Sequence, residues 1–391
     1  MGVHGECRRV VRSAELLPLS LYIHFPWCIQ KCPYCDFNSH AVKNPIPEQA
    51  YIDALLTDLQ ADLELLGAQR SINSIFMGGG TPSLFSAEAL CRLLTGVRQS
   101  VPVAEHCEIT LEANPGTFES AKFHEFRALG INRLSIGIQS FQDRHLRTLG
   151  RVHSAAEAMA AVEIAVKAGF DNFNLDLMFG LPDQSESEAL NDVETAVSLA
   201  PTHISFYQLT LEPNTYFYKF PPKLPEDDLI FAAQKRCQQL LAEHGYQQYE
   251  VSAYAKPGKQ SRHNRNYWQF GDYLGIGAGA HGKVSRALPN DIVRTVKPRS
   301  PEQYLSQTGG SQCEVIDVAQ LPLEFLMNQL RLKAGFSLND YEAATGLAAD
   351  SLEPNLSVCL EQDLLRREGL VYTCTEKGWD FLDVVLEKFI V

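Results

Sequence analysis

The chain has 391 residues and 45% of them are hydrophobic, enough to bury one large core and a smaller one. Its 34 basic residues against 47 acidic residues give a formal net charge of -13, which argues against a nucleic-acid interface because such an interface needs a basic stripe. No run approaches the roughly 20 apolar residues that cross a bilayer, so we expect a soluble cytoplasmic protein.

Residues 1–18 are predicted to form an N-terminal tail. This segment carries Arg8, Arg9 and Arg12, but the apolar stretch that follows them is short and is broken by Pro18. The pattern fits neither a signal peptide nor a membrane span.

From Leu19 to about Pro213, short apolar strands alternate with amphipathic helices. The predicted strands are Leu19–Phe25, Ile72–Met77, Glu108–Glu112, Arg133–Ile138, Asn172–Met178 and His203–Leu209. The predicted helices are Pro47–Leu66, Ala87–Ser100, Glu119–Leu129, Ala155–Ala168 and Glu188–Leu199, with N-caps at Ser86 and Ser154 and helix-ending glycines at Gly67, Gly130 and Gly169.

Strand–helix alternation of this kind implies parallel strands joined by right-handed crossovers. Six such units predict an α/β fold, a partial (β/α)6 barrel whose functional residues lie at the carboxyl ends of the strands. A doubly wound sheet is the competing arrangement.

The first predicted strand leads into the run Cys-Ile-Gln-Lys-Cys-Pro-Tyr-Cys, which contains Cys28, Cys32 and Cys35. Three thiolates at this spacing can hold three corners of a four-iron cluster. The run continues as Asp-Phe-Asn without a fourth ligand, so one iron would be left open to bind something else.

Zinc and disulfides are the alternatives for these cysteines. A structural zinc site usually needs four ligands, which His24 or His40 would have to complete. A disulfide framework is disfavoured because the other cysteines are scattered along a long chain, at Cys7, Cys91, Cys107, Cys237, Cys313, Cys359 and Cys374.

Gly78-Gly79-Gly80-Thr81-Pro82 directly follows the second predicted strand. Bare backbone lets a ligand approach closely, and its N–H groups can receive a carboxylate or an amine-bearing group. Glycine runs also form ordinary strand-to-helix turns, but the cysteine loop follows the preceding strand. The glycine run is therefore expected to lie beside the cysteine loop, which favours a functional interpretation of the glycines.

Polar residues occupy equivalent positions in the later strand–helix units. Glu112, Gln139 and Asp176 belong to later strands, and Arg151 lies just before a helix. A lone carboxylate in an apolar strand is costly unless it is paired or bound to a ligand. The structural alternative is an internal ion pair between Arg151 and Asp176.

Beyond the barrel, we predict a helix over 226–245 and strands over Tyr249–Tyr254 and Tyr273–Ile276. The Pro-, Ser- and Gly-containing stretch Leu288–Gln312 is predicted to be a connector. Leu321–Val391 is predicted to be a mainly helical, winged-helix-like domain with a short strand at Leu370–Thr373. The predicted domains are therefore the tail, a barrel with extension strands over 19–283, a connector over 284–320 and the C-terminal domain over 321–391.

The C-terminal segment 321–391 has 12 acidic and 6 basic residues. This balance disfavours DNA binding there and favours docking against the barrel or against a protein partner.

The cysteine loop, the glycine turn and the strands that carry Glu112, Gln139 and Asp176 resemble the radical S-adenosylmethionine (SAM) superfamily. More narrowly, the chain after Leu19 is similar to the oxygen-independent coproporphyrinogen III oxidase group. The resemblance implies that the three cysteines hold a [4Fe-4S] cluster and that SAM chelates its open iron. It further implies that SAM is contacted by Tyr22, Tyr34, Gly79, Gly80, Thr81, Glu112, Gln139, Arg151 and Asp176.

Within this group, the cysteine loop resembles the HemW-type heme chaperones. The oxidase carries a fourth cysteine two residues after the third, where this chain has Phe37, and it has a longer N-terminal extension. A second mark is the run His263-Asn-Arg-Asn-Tyr-Trp268, a His-Asn-x-x-Tyr-Trp motif typical of the HemW side.

This resemblance implies a heme chaperone that binds heme and a SAM-ligated cluster and transfers heme to acceptor proteins. SAM would then have a structural or regulatory role. Whether the protein is an enzyme therefore stays open, and no catalytic residue is predicted. The alternative function is oxygen-independent coproporphyrinogen III oxidase, a radical SAM oxidative decarboxylation. A radical SAM enzyme acting on an unrelated substrate is a third class.

His263 is the implied heme ligand, because a neutral imidazole binds iron and Tyr267 and Trp268 can stack on a porphyrin. The structural alternative is that His263 and His281 only hydrogen-bond to loop backbone and that Trp268 plugs the barrel.

The implied partners are heme and a heme-acceptor protein, with a membrane-bound respiratory protein as one candidate, and a homodimer is a further implied state. The expected location is the cytoplasm, including the inner face of the membrane as a peripheral position.

Overall fold

The computed structural model describes residues 17–67, 69–116, 120–286, 290–307 and 310–390. The predicted N-terminal tail lies almost wholly outside these residues, and so do Cys7 and the three arginines near it.

Twelve strands of the described part form one sheet. In chain order they are β1 (Leu19–Phe25), β2 (Ile72–Gly79), β3 (Val103–Ala113), β4 (Arg133–Gln139), β5 (Phe173–Phe179), β6 (His203–Gln208), β7 (Gln247–Glu250), β8 (Ala253–Ala255), β9 (Asp272–Ile276), β10 (His281–Arg286), β11 (Asp291–Val296) and β12 (Gln312–Val315). Their spatial order is β12-β11-β10-β9-β1-β2-β3-β4-β5-β6-β8-β7.

Strands β1 to β6 are parallel and stand side by side in chain order. This order confirms the partial (β/α)6 barrel, because a doubly wound sheet reverses its strand order at a switch point. The barrel is flanked by further strands: β9 pairs with β1 in parallel, and β8 pairs with β6 antiparallel. The carboxyl ends of β1 to β6 therefore face one end of the barrel.

The barrel helices are α1 (Glu48–Leu66), α2 (Ala87–Ser100), α3 (Phe123–Ala128), α4 (Asp143–Thr148), α5 (Ala155–Lys167) and α6 (Glu186–Ser198). Then follow α7 (Tyr216–Lys219), α8 (Asp227–Glu243), α9 (Arg262–Trp268) and α10 (Pro301–Ser306). The predicted start of α3, Glu119, lies outside the described residues.

Local chemistry accounts for several helix ends. The hydroxyls of Ser86 and Ser154 cap α2 and α5 by accepting backbone N–H donors, and Ser154 forms a capping box with Glu157. Gly67 ends α1 in the left-handed conformation, which glycine adopts without steric cost.

The strands β1 to β6 are mostly apolar because helices cover the sheet. Side chains such as Leu21, Leu111 and Leu175 are fully buried in the larger hydrophobic core. Strand β3 begins earlier than predicted, because residues 103–106 are exposed or half-buried and carry no apolar pattern.

The C-terminal part contains α11 (Leu321–Gln329), α12 (Leu338–Thr345), α13 (Asn355–Glu361), α14 (Glu376–Asp380) and α15 (Leu382–Glu387). Three short strands, β13 (Phe336–Ser337), β14 (Leu365–Glu368) and β15 (Val371–Cys374), form an antiparallel sheet. These elements pack around a second core that includes Phe325, Leu326 and Leu352. The mainly helical prediction for this part is confirmed.

Two sequence predictions were wrong. The stretch Tyr249–Tyr254 is not one strand, because the chain turns at Val251 and Ser252 to give the antiparallel strands β7 and β8. The predicted connector contains β11, which pairs with β10 over six residues and buries Ile292 and Val293. Its proline and serine residues flank the strand and conceal its short apolar pattern.

No helix in the described ranges is both long enough and apolar enough to span a bilayer.

Candidate cluster pocket and adjoining cavity

The three cysteines of the sequence motif lie in the loop that leaves β1 at its carboxyl end. A short parallel pairing of Trp27–Cys28 with His40–Ala41 closes the base of this loop. All three thiols line one pocket, which we call the cysteine pocket. The predicted SAM-contact residues that also line it are Tyr34, Gly79, Gly80, Thr81, Glu112, Gln139, Arg151 and Asp176.

The three thiols of the pocket do not converge on one point. Among the described residues, no three Cys, His, Asp or Glu side chains converge where a single metal ion could be held. His24 is not free to complete a zinc site, because its Nδ1 pairs with the Tyr22 hydroxyl and its Nε2 with the Asn38 carbonyl, each at 2.9 Å. Separated thiols suit a four-iron cluster, in which thiolates bind different irons.

The surroundings of the thiols also fit an iron–sulfur cluster. Burial raises the pKa values of the Cys28 and Cys35 thiols. The Arg151 guanidinium lies 3.7 Å from the Cys32 sulfur, and the Ser39 hydroxyl lies 3.6 Å from the Cys35 sulfur. Because these groups can donate to sulfur, they would stabilise thiolates once iron supplies positive charge.

The glycine turn lies across the pocket from the cysteines, but its N–H groups are already in use. Gly79 donates to the Glu112 carboxylate at 3.0 Å, Gly80 to the Phe25 carbonyl at 2.6 Å and Thr81 to the Trp27 carbonyl at 2.7 Å. The expectation that these N–H groups are available for a ligand was therefore wrong. Glycine is needed for space: a Cβ on Gly80 would lie 2.6 Å from the Phe25 and Trp27 carbonyls.

The two strand-end carboxylates share one buried environment. The pKa of Glu112 is raised to about 8, mainly by burial and less by the neighbouring Asp176, while the Gly79 N–H offsets part of the shift. Burial also raises the pKa of Asp176, whose oxygens accept from Asn174 at 2.7 Å and Ser135 at 3.3 Å. Both carboxyls therefore favour a ligand that brings positive charge.

Arg151 forms no ion pair with Asp176, so the structural alternative of an internal pair between these two described residues is not found. Its guanidinium instead donates to the Asn114 side-chain oxygen and to the Gly137 carbonyl, each at 2.7 Å. These bonds direct the guanidinium toward Cys32 and the pocket.

Gln139 ends β4 with a φ of 71°, a left-handed conformation that is costly for a non-glycine residue. The Tyr207 hydroxyl donates to its side-chain oxygen at 2.6 Å, which orients the amide into the pocket. Three further residues line the pocket without any motif that predicts them: Asn114, Ser135 and Tyr207. Tyr207 and Asn114 lie at the carboxyl ends of their strands, which is the only signal the sequence offers for them, and Ser135 lies within β4.

A second cavity of about 550 Å³ adjoins the cysteine pocket, and Phe37, Gly79 and Glu112 line both. Tyr22, predicted to contact SAM, lines this second cavity and not the cysteine pocket. The cavity is also bounded by Tyr267, Tyr273, His281, Val296 and Arg299. We call it the aromatic cavity.

His263 does not line the aromatic cavity. It is 1% exposed, its ring stacks on Phe76 at 4.9 Å, and its Nδ1 lies 3.2 Å from the Ser74 hydroxyl. Burial lowers its pKa to about 3. Trp268 packs against the Arg331 guanidinium, 4.3 Å from the ring centre.

Comparison with family models identifies two segments. The radical SAM superfamily model matches residues 22–196, and the HemN C-terminal domain model matches residues 316–381.

Comparison with known proteins extends the likeness over nearly the whole chain. The chain is 49% identical to heme chaperone HemW of Haemophilus influenzae, covering 96% of this chain and 99% of that protein. It is 48% identical to heme chaperone HemW of Escherichia coli over the same shares. The fold resembles coproporphyrinogen III oxidase (HemN) from Escherichia coli with a TM-score of 0.80, at 22% identity and covering 97% of this chain and 91% of that one.

Proposed function

The chain belongs to the HemW family of heme chaperones within the radical SAM superfamily, and from this membership we propose that it binds heme and delivers it to acceptor proteins. The observation that carries the proposal is the 48–49% identity to HemW proteins over 96% of the chain. The likeness to the oxidase, at 22% identity, concerns the fold alone.

Membership in the radical SAM superfamily implies a [4Fe-4S] cluster and SAM. Cys28, Cys32 and Cys35 hold the cluster, which leaves one iron for the amino and carboxylate groups of SAM. When bound, the cluster and SAM together would supply one-electron chemistry at the SAM sulfonium. The separation of the three thiols and their donors Arg151 and Ser39 support this assignment.

SAM occupies the cysteine pocket beside the cluster. The glycine turn lets its methionine end approach the backbone, and the strand-end residues bind its remaining polar groups. The burial of Glu112 and Asp176 supports this role, because the cationic SAM would favour their ionised forms. The residues assigned to SAM in the cysteine pocket are Tyr34, Gly79, Gly80, Thr81, Glu112, Gln139, Arg151 and Asp176, and Tyr22 would contact SAM from the adjoining aromatic cavity.

Heme transfer requires an acceptor protein, and we propose a membrane-bound respiratory protein in this role. We also propose a homodimeric state and a location in the cytoplasm or at the inner face of the membrane as a peripheral protein. The described cysteines are free, which agrees with a reducing compartment.

The test is an anaerobic hemin titration of the cluster-reconstituted protein, followed in the Soret region. We expect saturable binding at a single site, followed by transfer to an apo-acceptor protein. In parallel, coproporphyrinogen III is offered with SAM and reductant. Decarboxylated product without saturable hemin binding would replace the chaperone function with the oxidase.

A further inference from the structure

We propose that His281 would bind the heme iron in the aromatic cavity, and that Arg299 would bind a heme propionate at the rim. This inference rests on the proposed heme-binding function and names its site.

The aromatic cavity has the size and walls that a porphyrin needs. Its volume of about 550 Å³ falls within the range of pockets that enclose cofactor-sized ligands. Tyr267 and Tyr273 pack edge to face at 4.3 Å on one side, and Phe37 is 60% exposed at its border with the cysteine pocket. Aromatic rings of this kind can pack against the faces of a flat apolar macrocycle.

Three histidines lie in or near this cavity, and they differ in whether a ring nitrogen can reach iron. Both ring nitrogens of His24 already have hydrogen-bond partners, at 2.9 Å each. His263 lies buried beneath Phe76 and does not border the cavity. His281 borders the cavity and is exposed, and within the described part of the chain its ring has no hydrogen-bond partner.

A glycine turn and a strand pairing position the backbone around His281. The preceding turn has two glycines in the left-handed region, Gly277 with a φ of 106° and Gly279 with a φ of 80°. The residue itself begins β10, where it pairs with Val296 of β11. A ligand held at the start of a paired strand needs little reorganisation when it binds a metal.

This turn is also tied to the cysteine loop. The Asn38 side-chain amide donates to the Ala278 carbonyl and to the Arg299 carbonyl, each at 2.9 Å. The loop that contains the cluster cysteines is therefore hydrogen-bonded to the turn that precedes His281 and to the backbone of Arg299.

Charge at the rim suits an anionic porphyrin. Arg299 is exposed, and among the described residues its guanidinium forms no salt bridge. The neighbouring Arg294 is already paired with Glu324. An unpaired guanidinium is a strong partner for a carboxylate such as a propionate. Partial burial, with Arg294 and Arg299, lowers the pKa of His281, which favours the neutral imidazole that metals bind.

The test compares wild type, His281→Ala and the control His124→Ala, each cluster-reconstituted and titrated with hemin under anaerobic conditions. His124 is exposed on α3, away from the cavity. The axial ligand is identified by resonance Raman and electron paramagnetic resonance spectra. We expect His281→Ala to lose the imidazole signature and to bind hemin about tenfold more weakly or worse, whereas His124→Ala matches wild type.

Free imidazole added to His281→Ala should restore the ligand signature, which a structural role for His281 would not produce. An unchanged spectrum in His281→Ala overturns the proposal, and loss of the signature in His263→Ala instead would assign the iron to His263. If His281→Ala does not retain its cluster, His281→Met is used, and it must show a thioether ligand. Failure of wild type to bind hemin would reject the heme-binding function itself.

Arg299 is tested with Arg299→Gln, using hemin and hemin dimethyl ester. We expect the variant to bind hemin about tenfold more weakly than wild type and to bind the ester equally well, with the imidazole signature retained. Equal weakening for both ligands, or for neither, would remove Arg299 from the site.

Discussion

The Glu112 carboxylate accepts a hydrogen bond from the Gly79 N–H at 3.0 Å, at the border between the cysteine pocket and the aromatic cavity. The bond joins the carboxyl ends of β2 and β3 and leaves the carboxyl group buried beside Asp176. One residue thereby connects the glycine turn with both cavities.

Glu112 should make the stability of the cofactor-free protein depend on pH. Its pKa of about 8 lies above the ordinary value of 4.5, so between these pH values the folded protein binds more protons than the unfolded one. Wild type should therefore lose stability relative to Glu112→Gln as pH rises from 5 to 8, by at most about 1.4 kcal/mol per pH unit. Chemical denaturation of both proteins at the two pH values measures this, and a constant difference would contradict it.

Cys28→Ser should prevent assembly of the cluster. With one of three thiolates missing, we expect iron to fall from about four atoms per chain to a small fraction of that, with loss of the brown absorption. The matched control is Cys91→Ser, because Cys91 is exposed and lies outside the pocket. Full iron content in Cys28→Ser would remove this residue from the ligand set.

Gly279→Ala should destabilise the protein by more than the backbone strain of a positive φ alone would cause. Both Gly279 and Gly169 have positive φ, at 80° and 86°, but only at Gly279 would a Cβ collide with the Asn38 side-chain amide. We expect Gly169→Ala to cost about 1 kcal/mol and Gly279→Ala to cost about 2–3 kcal/mol, with slower cluster reconstitution. Denaturant titration compares them, and equal costs would show that the contact with Asn38 relaxes freely.

Lys297→Ala should be strongly destabilising. Lys297 is fully buried, and its ammonium pairs with Asp58 and, at 2.6 Å, with Asp62. Removing it leaves two buried carboxylates without a cation, which we expect to cost about 3–5 kcal/mol. Lys167→Ala, which breaks an exposed pair with Glu163, should cost less than about 1 kcal/mol.

The loss of stability caused by Lys297→Ala should be smaller at low pH. The pKa of Asp62 is already raised to about 6 by burial despite Lys297, and loss of the cation raises it further. Protonation of Asp62 at low pH then removes its share of the unpaired charge. Unfolding free energies at pH 5 and pH 8 test this, and a larger deficit at pH 5 would be inconsistent with it.

The barrel and the cysteine loop could be predicted from local patterns in the chain. The alternation of apolar strands and amphipathic helices is local, so it predicted β1 to β6 before any contact was known. Parallel strands place their carboxyl ends together, which brought the cysteine loop, the glycine turn, Glu112 and Asp176 into one pocket.

Which groups are free to bind a ligand depends on contacts between distant parts of the chain. The N–H groups of the glycine turn proved to be donated within the protein, while His263 is buried and His281 faces a cavity. Such differences depend on hydrogen bonds and burial between residues distant in the chain, for example Ser74 with His263. Residue type and spacing do not encode these long-range contacts, because each depends on how separate elements pack.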